Sequence, residues 1–174
     1  DVKAESGKVD VSASDDVKLT TVNGTAAVSG SSAAVGGAVG VDVINSGANA
    51  AIFSGASVSS GLDTSVHADA AEHLNNAVAG GTVSGSSAGV TGVLAVAVDN
   101  ENATASVGGD DAEKVTDLNA AKGSVEVTAR HTAEVNNIAG ALGIGSSTGV
   151  GLGVGTEIVT NQTKAIVGDG TTIT

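Results

Sequence analysis

The tripeptide Gly-Ser-Ser returns three times, at Gly30-Ser31-Ser32, Gly85-Ser86-Ser87 and Gly145-Ser146-Ser147. The intervals are 55 and 60 residues. Its flanks return with it. Downstream of each copy a Val-rich stretch ends on Asn: Val39 to Asn45, Val93 to Asn100 and Val154 to Asn161. Eighteen residues after the second Ser of each triplet stands an Ala, at Ala50, Ala105 and Ala165. Upstream, Val9-Asp10-Val11-Ser12-Ala13 parallels Val125-Glu126-Val127-Thr128-Ala129. Likewise Ala71-Glu72-His73-Leu74-Asn75-Asn76 parallels Ala133-Glu134-Val135-Asn136-Asn137. Self-similarity at this period marks a repeat architecture, in which each unit buries its apolar face against the next. The units run over about 1–62, 63–122 and 123–174, within one continuous segment.

Within a unit, apolar residues alternate with polar or very small ones for about five positions before Gly, Asn or Asp intervenes. Period two is the pattern of a strand with one buried face. The apolar residues are mostly Val, Ala, Ile and Leu. Phe53 is the only aromatic, and Pro, Cys, Met, Trp and Tyr are absent. Such side chains fill a thin stacked core rather than the wide centre of a globular sandwich. Zero proline leaves every strand position able to donate to a ladder. The reading is an all-β, right-handed parallel β-helix. With about 18–25 residues per coil, it has about eight or nine coils and a rod length of roughly 40 Å. The expected inward residues are Val9, Val11, Val41, Val43, Ile52, Val96, Val98, Val125, Val127, Ile158 and Ile166. Two stretches lean helical, His67 to Asn76 and Asp110 to Lys122, and are expected to be surface excursions. In the second, Asp110-Asp111 stands at an N-cap position and Gly123 at the stop.

The composition excludes several function classes. A net charge of −12 opposes binding to nucleic acid or to an anionic membrane. Without aromatic clusters there is no stacking platform for bases or sugars. Without cysteine there is no disulfide and no thiolate metal site. No apolar run is long enough for a membrane helix, so this segment is expected not to enter a bilayer directly. No signal peptide is visible, and the chain reads as an excerpt of something longer.

Chemistry-bearing residues are scattered. His67 and His73 are six apart, fitting neither a helical metal pair nor one strand face, and His131 lies at a nearby place in its own repeat. All three read as surface histidines. Asp15-Asp16, Asp99 with Glu101, and Asp110-Asp111 offer the oxygen donors with which a calcium site begins. None carries the tandem Gly-Gly-x-Gly-x-Asp pattern of a calcium β-roll, so they read as solvated turn residues. Arg130 is the lone Arg, and no Gly-x-Ser-x-Gly elbow precedes a helix. The expectation is a non-enzyme with no catalytic, cofactor-binding or metal site. In Gly149 to Gly155, Gly alternates with period two. That pattern leaves one strand face bare, so that a neighbouring coil or a second rod can approach closely. The sequons at Asn23, Asn102 and Asn161 are no more than chance supplies.

The strand Val125 to Ala129, then Asn136-Asn137-Ile138-Ala139-Gly140, then a Gly/Ser/Val-rich run into Ile158 to Gly170, resembles the repetitive passenger regions of large Gram-negative surface adhesins. These are the leukotoxin-like and filamentous-haemagglutinin-like autotransporters and two-partner secreted exoproteins. The resemblance covers nearly the whole chain. It implies a right-handed parallel β-helix, export across the outer membrane through a barrel elsewhere in the protein or on a separate one, and an extracellular or cell-surface location. It implies a structural, adhesive stalk whose partners are host or bacterial surface molecules. Absence of cysteine suits a chain that crosses an oxidising periplasm unfolded. The alternative from another class is a self-assembling extracellular filament or matrix protein, with copies of the chain as partners.

Overall fold

The computed structural model describes residues 1–109 and 114–174. Among these residues ten strands run in order: β1 (Val2–Ala4), β2 (Val9–Ser29), β3 (Ala34–Ile52), β4 (Ser57–Ser60), β5 (Thr64–Ser84), β6 (Ala88–Val107), β7 (Thr116–Ala120), β8 (Val125–Gly145), β9 (Thr148–Val167) and β10 (Thr171–Ile173). They form three sheets in the orders β1-β4-β7-β10, β2-β5-β8 and β3-β6-β9. All ladders are parallel. The chain is therefore a parallel β-helix, as its alternation and repeats predict.

The coil count differs from the expectation. Each sequence repeat forms one coil rather than about three, so there are three coils and not eight or nine. The Gly and Asn residues taken as strand breaks lie inside long strands: Gly24 in β2, Gly36, Gly37 and Gly47 in β3, Asn75 and Asn76 in β5. The true turns are marked by left-handed backbone at Gly55, Gly108 and Gly170, one after each of β3, β6 and β9. At these places a residue with a Cβ is strained and Gly is not. The Gly-Ser-Ser triplets make the other long-edge turn. There Ser29 Oγ and Ser84 Oγ accept from the backbone N–H of Ser32 and Ser87 at 3.2 Å. A 21-residue strand is roughly 70 Å long and three coils are only about 10 Å deep from first to last backbone, so the coil is wide and the stack short.

The repeat alignment anticipates much of the register. Ala50, Ala105 and Ala165 lie side by side in one ladder, as do Val9, Thr64 and Val125. The expected repeat boundaries fall at a corner of the coil, between β4 and β5 and between β7 and β8. The stretch from His67 to Asn76 is not helical but part of β5, where pairing with β2 on one side and β8 on the other decides its conformation. In the second stretch, Asp110 to Glu113 lie outside the described residues and Thr116 to Ala120 is strand β7. The longer repeat interval arises here, since eight residues link β6 to β7 where four link β3 to β4.

The core runs lengthwise between the two wide sheets. Where all three sheets meet, it consists of Val9, Ile52, Val58, Val66, Val107 and Leu118 with Ala between them. Midway it narrows to Ile44, Leu74 and Ala97, and nearer the Gly-Ser-Ser turns to Val78, Val93 and Ala95. At the Gly-rich end of the third coil it almost vanishes. A Cβ on Gly151 would strike the carbonyl oxygen of Ala141, and one on Gly153 would lie 2.6 Å from that of Ala139. The bare face expected at Gly149 to Gly155 thus admits the facing strand β8 of its own coil, not a neighbouring coil or second rod.

Of the expected inward residues, Val9 and Ile52 are buried, and Val11, Val125 and Val127 pack against the same cluster. Val41 and Val43, by contrast, are 58% and 56% exposed. They lie in register with Val96 and Val98, and Val98 with Ile158, on the outer face. Ile166 also points outward, in register with Ser106. The narrow interior takes Ala95 and Ala97 instead, so the smaller set of alternate residues faces in.

Candidate functional site

Turning the β3-β6-β9 sheet so that its Val rows face out places its acidic residues inside. Strand alternation puts Asp99 and Glu101 of β6 on one face with Ala95, Ala97 and Ala103, all buried. Across the core, Glu72 of β5 shares its face with Val66, Ala68, Ala70 and Leu74, also buried. Glu72, Asp99 and Glu101 are wholly shielded from solvent. One carboxylate oxygen from each can be chosen so that all three lie within 4.8 Å of one another. The cluster sits in the middle coil, covered on both sides. Glu72 lies between Val17 and Ala133, Asp99 between Ile44 and Val159, and Glu101 between Ser46 and Asn161.

His131 of β8 reaches in from the next coil, with Nε2 2.6 Å from Oε2 of Glu101. Its ladder neighbour Ala70 is small, which leaves room for the ring. Among the described residues, this is the one hydrogen bond that reaches the three carboxyl groups from outside the cluster. Both oxygens of Glu72, both of Asp99 and Oε1 of Glu101 have no partner, and neither has the nearby buried Ser46 Oγ. Burial pushes the Glu72 carboxyl up to about 8, with further contributions from a hydrogen bond to Asp99 and from the charges of Asp99 and Glu101. A proton on Glu72 can be donated to Asp99; with both ionised, their four oxygens face one another unpaired. Chemically, such a centre either shares protons or holds a cation.

Of the acidic pairs noted in the sequence, Asp99 with Glu101 do converge, and Glu72 and His131 join them. Asp15 and Asp16 do not, because adjacent strand residues face opposite ways. Asp15 Oδ2 accepts from the Gly47 N–H at 2.8 Å, while Asp16 is 3.4 Å from Lys18 Nζ on the outside. Asp110 and Asp111 lie outside the described residues. His67 and His73 are on the outer face of β5. His67 Nδ1 is 2.7 Å from Thr128 Oγ1, and His73 Nδ1 is 3.1 Å from Glu134 Oε2. The expectation that His131 is a surface residue is overturned by its inward position, its side chain being 10% exposed. Glu72 is hidden in the sequence because matching Glu72 to Glu134 by identity is one residue out of the ladder register. Glu72 lies beside Ala133, and Glu134 beside His73. A strand slip of one residue exchanges inside and outside.

No protein-family model, curated protein or solved structure matches the chain.

Proposed function

We propose that the chain is a structural stalk segment of a secreted or surface-anchored bacterial adhesin, outside the cell and without catalytic activity. The observation that carries this reading is the one-repeat-per-coil stack in continuous register. Such a ladder can be lengthened by adding repeats with no change in its cross-section, which is what a stalk requires. β10 pairs beside β7 and completes the third coil in the same register. The sequence resemblance to adhesin passenger regions supplies the surface location and the adhesive role. The non-catalytic reading fits the burial of the one convergent cluster among the described residues, whose three carboxyls are wholly shielded from solvent.

The alternative is a self-assembling filament or matrix protein, and a specific observation favours it. The outer face of β3-β6-β9 carries rows of apolar residues in register: Val35, Val90 and Val150; Val39, Leu94 and Val154; Val43, Val98 and Ile158. Gly37 and Gly92 leave a shallow groove beside Val39, Leu94 and Leu152. On the open side of the third coil, the inward residue Val159 is 43% exposed. Electron microscopy of the purified segment over a concentration series separates the readings. Discrete particles at all concentrations fit a stalk; fibres that lengthen with concentration replace it with the filament.

A further inference from the structure

Three wholly buried carboxyl groups, five of whose six oxygens have no partner outside the cluster, leave a large electrostatic deficit. Within the described hydrogen bonds, His131 answers one oxygen of Glu101, and no group outside the cluster answers Glu72 or Asp99. The donors come from facing sheets, Glu72 from β5 and both others from β6. Oxygens mutually within 4.8 Å can surround a point at about 2.3–2.8 Å from each, the range of calcium–oxygen bonds and slightly beyond. Further oxygens lie on the same inner row, since Ser46 and Asn161 are the ladder neighbours of Glu101 and Ser46 Oγ is buried without a partner. An all-oxygen donor set selects hard cations over zinc or copper. His131 stays in place as the group that orients Glu101.

We propose that Glu72, Asp99 and Glu101 bind one hard divalent cation of the calcium class, which ties the two wide sheets together through the middle coil. The inference stands whether the chain is a stalk or a filament. Because the cluster is sealed, the ion enters as the chain folds.

The test refolds the chain in chelator and then again with calcium, magnesium or zinc chloride, reading metal content and thermal unfolding. One equivalent of calcium per chain is expected to be retained through desalting. Tm is expected to rise by about 5–10 °C at a hundredfold excess over Kd. Glu72→Gln with Asp99→Asn replaces two buried ionisable carboxyls by neutral amides of the same shape, so this variant is expected to fold in chelator at least as stably as the parent and to lose both responses. Asp16→Asn, on the outer surface, is expected to keep them. Absence of bound calcium and of a Tm shift in the parent overturns the proposal. So does a calcium response that survives in the double variant, which marks adventitious surface binding only, and so does a response to zinc alone.

Discussion

His131 and Glu101 belong to different coils and different sheets, yet His131 Nε2 stands 2.6 Å from Glu101 Oε2 inside the core. The contact links β8 of the third coil to β6 of the second. Its loss leaves a buried carboxylate with no partner at all. His131→Ala is therefore expected to destabilise the fold by about 1–3 kcal/mol, measured by urea unfolding. Adding Glu101→Gln is expected to restore part of that loss, since an amide is easier to bury unpaired than a charge. If the single and double variants are equally unstable, the ring acts through packing instead.

Stability in chelator should depend on pH through Glu72. Its carboxyl is raised from 4.5 to about 8 in the folded chain. The folded state then binds the proton more tightly than the unfolded one, so stability falls as pH rises. The favourable contribution is complete below about 4.5, shrinks between 4.5 and 8, and is gone above 8. Urea midpoints from pH 5 to 9 are expected to decline, and Glu72→Gln is expected to flatten the decline. Parallel slopes for parent and variant assign the pH dependence to other groups.

The thin end of the coil makes a steric prediction. Gly153 faces the Ala139 carbonyl so closely that a Cβ would lie 2.6 Å from it. Gly92 and Gly140 have open space where a Cβ would stand. Gly153→Ala is expected to cost about 1–3 kcal/mol by forcing β8 and β9 apart. Gly92→Ala is expected to be neutral or slightly stabilising, by up to about 1 kcal/mol, because it reduces the freedom of the unfolded chain. Thermal melts of the two variants side by side decide the point.

Much of this fold is legible in the sequence, and what is not has a definite cause. The repeats reveal a stack and most of its register, because side chains at equivalent positions of neighbouring coils meet the same surroundings. The coil perimeter is hidden, since Gly24, Gly47 and Asn76 read as turns yet lie within ladders. The turns at Gly108-Gly109 and at Gly168 to Gly170 are legible, because those glycines close the short strand segments that end on Val107 and Val167, whereas Gly55 carries no such signal. The buried cluster was half visible. Asp99 and Glu101 share a strand face by spacing alone, but bringing in Glu72 requires the facing sheet and its register. The inward face of β6 is not legible, because Val96 and Val98 are better core residues than Ala95 and Ala97 in a wide interior, and this interior is narrow.

That inversion of size yields a last prediction. If Val41 and Val43 of β3 belonged to the core, replacing either with Thr would bury an unpaired hydroxyl and cost about 1–3 kcal/mol. They are more than half exposed, so Val41→Thr and Val43→Thr are each expected to change stability by less than about 0.5 kcal/mol. Leu74→Ala, at a wholly buried position in the narrow middle of the core with Ile44 and Ala97, is expected to cost about 2–5 kcal/mol. Urea unfolding of the three variants tests the strand phase directly. A large loss from the Val substitutions with little from Leu74→Ala would mean that the sheets face the other way, and the carboxyl cluster would then lie in solvent.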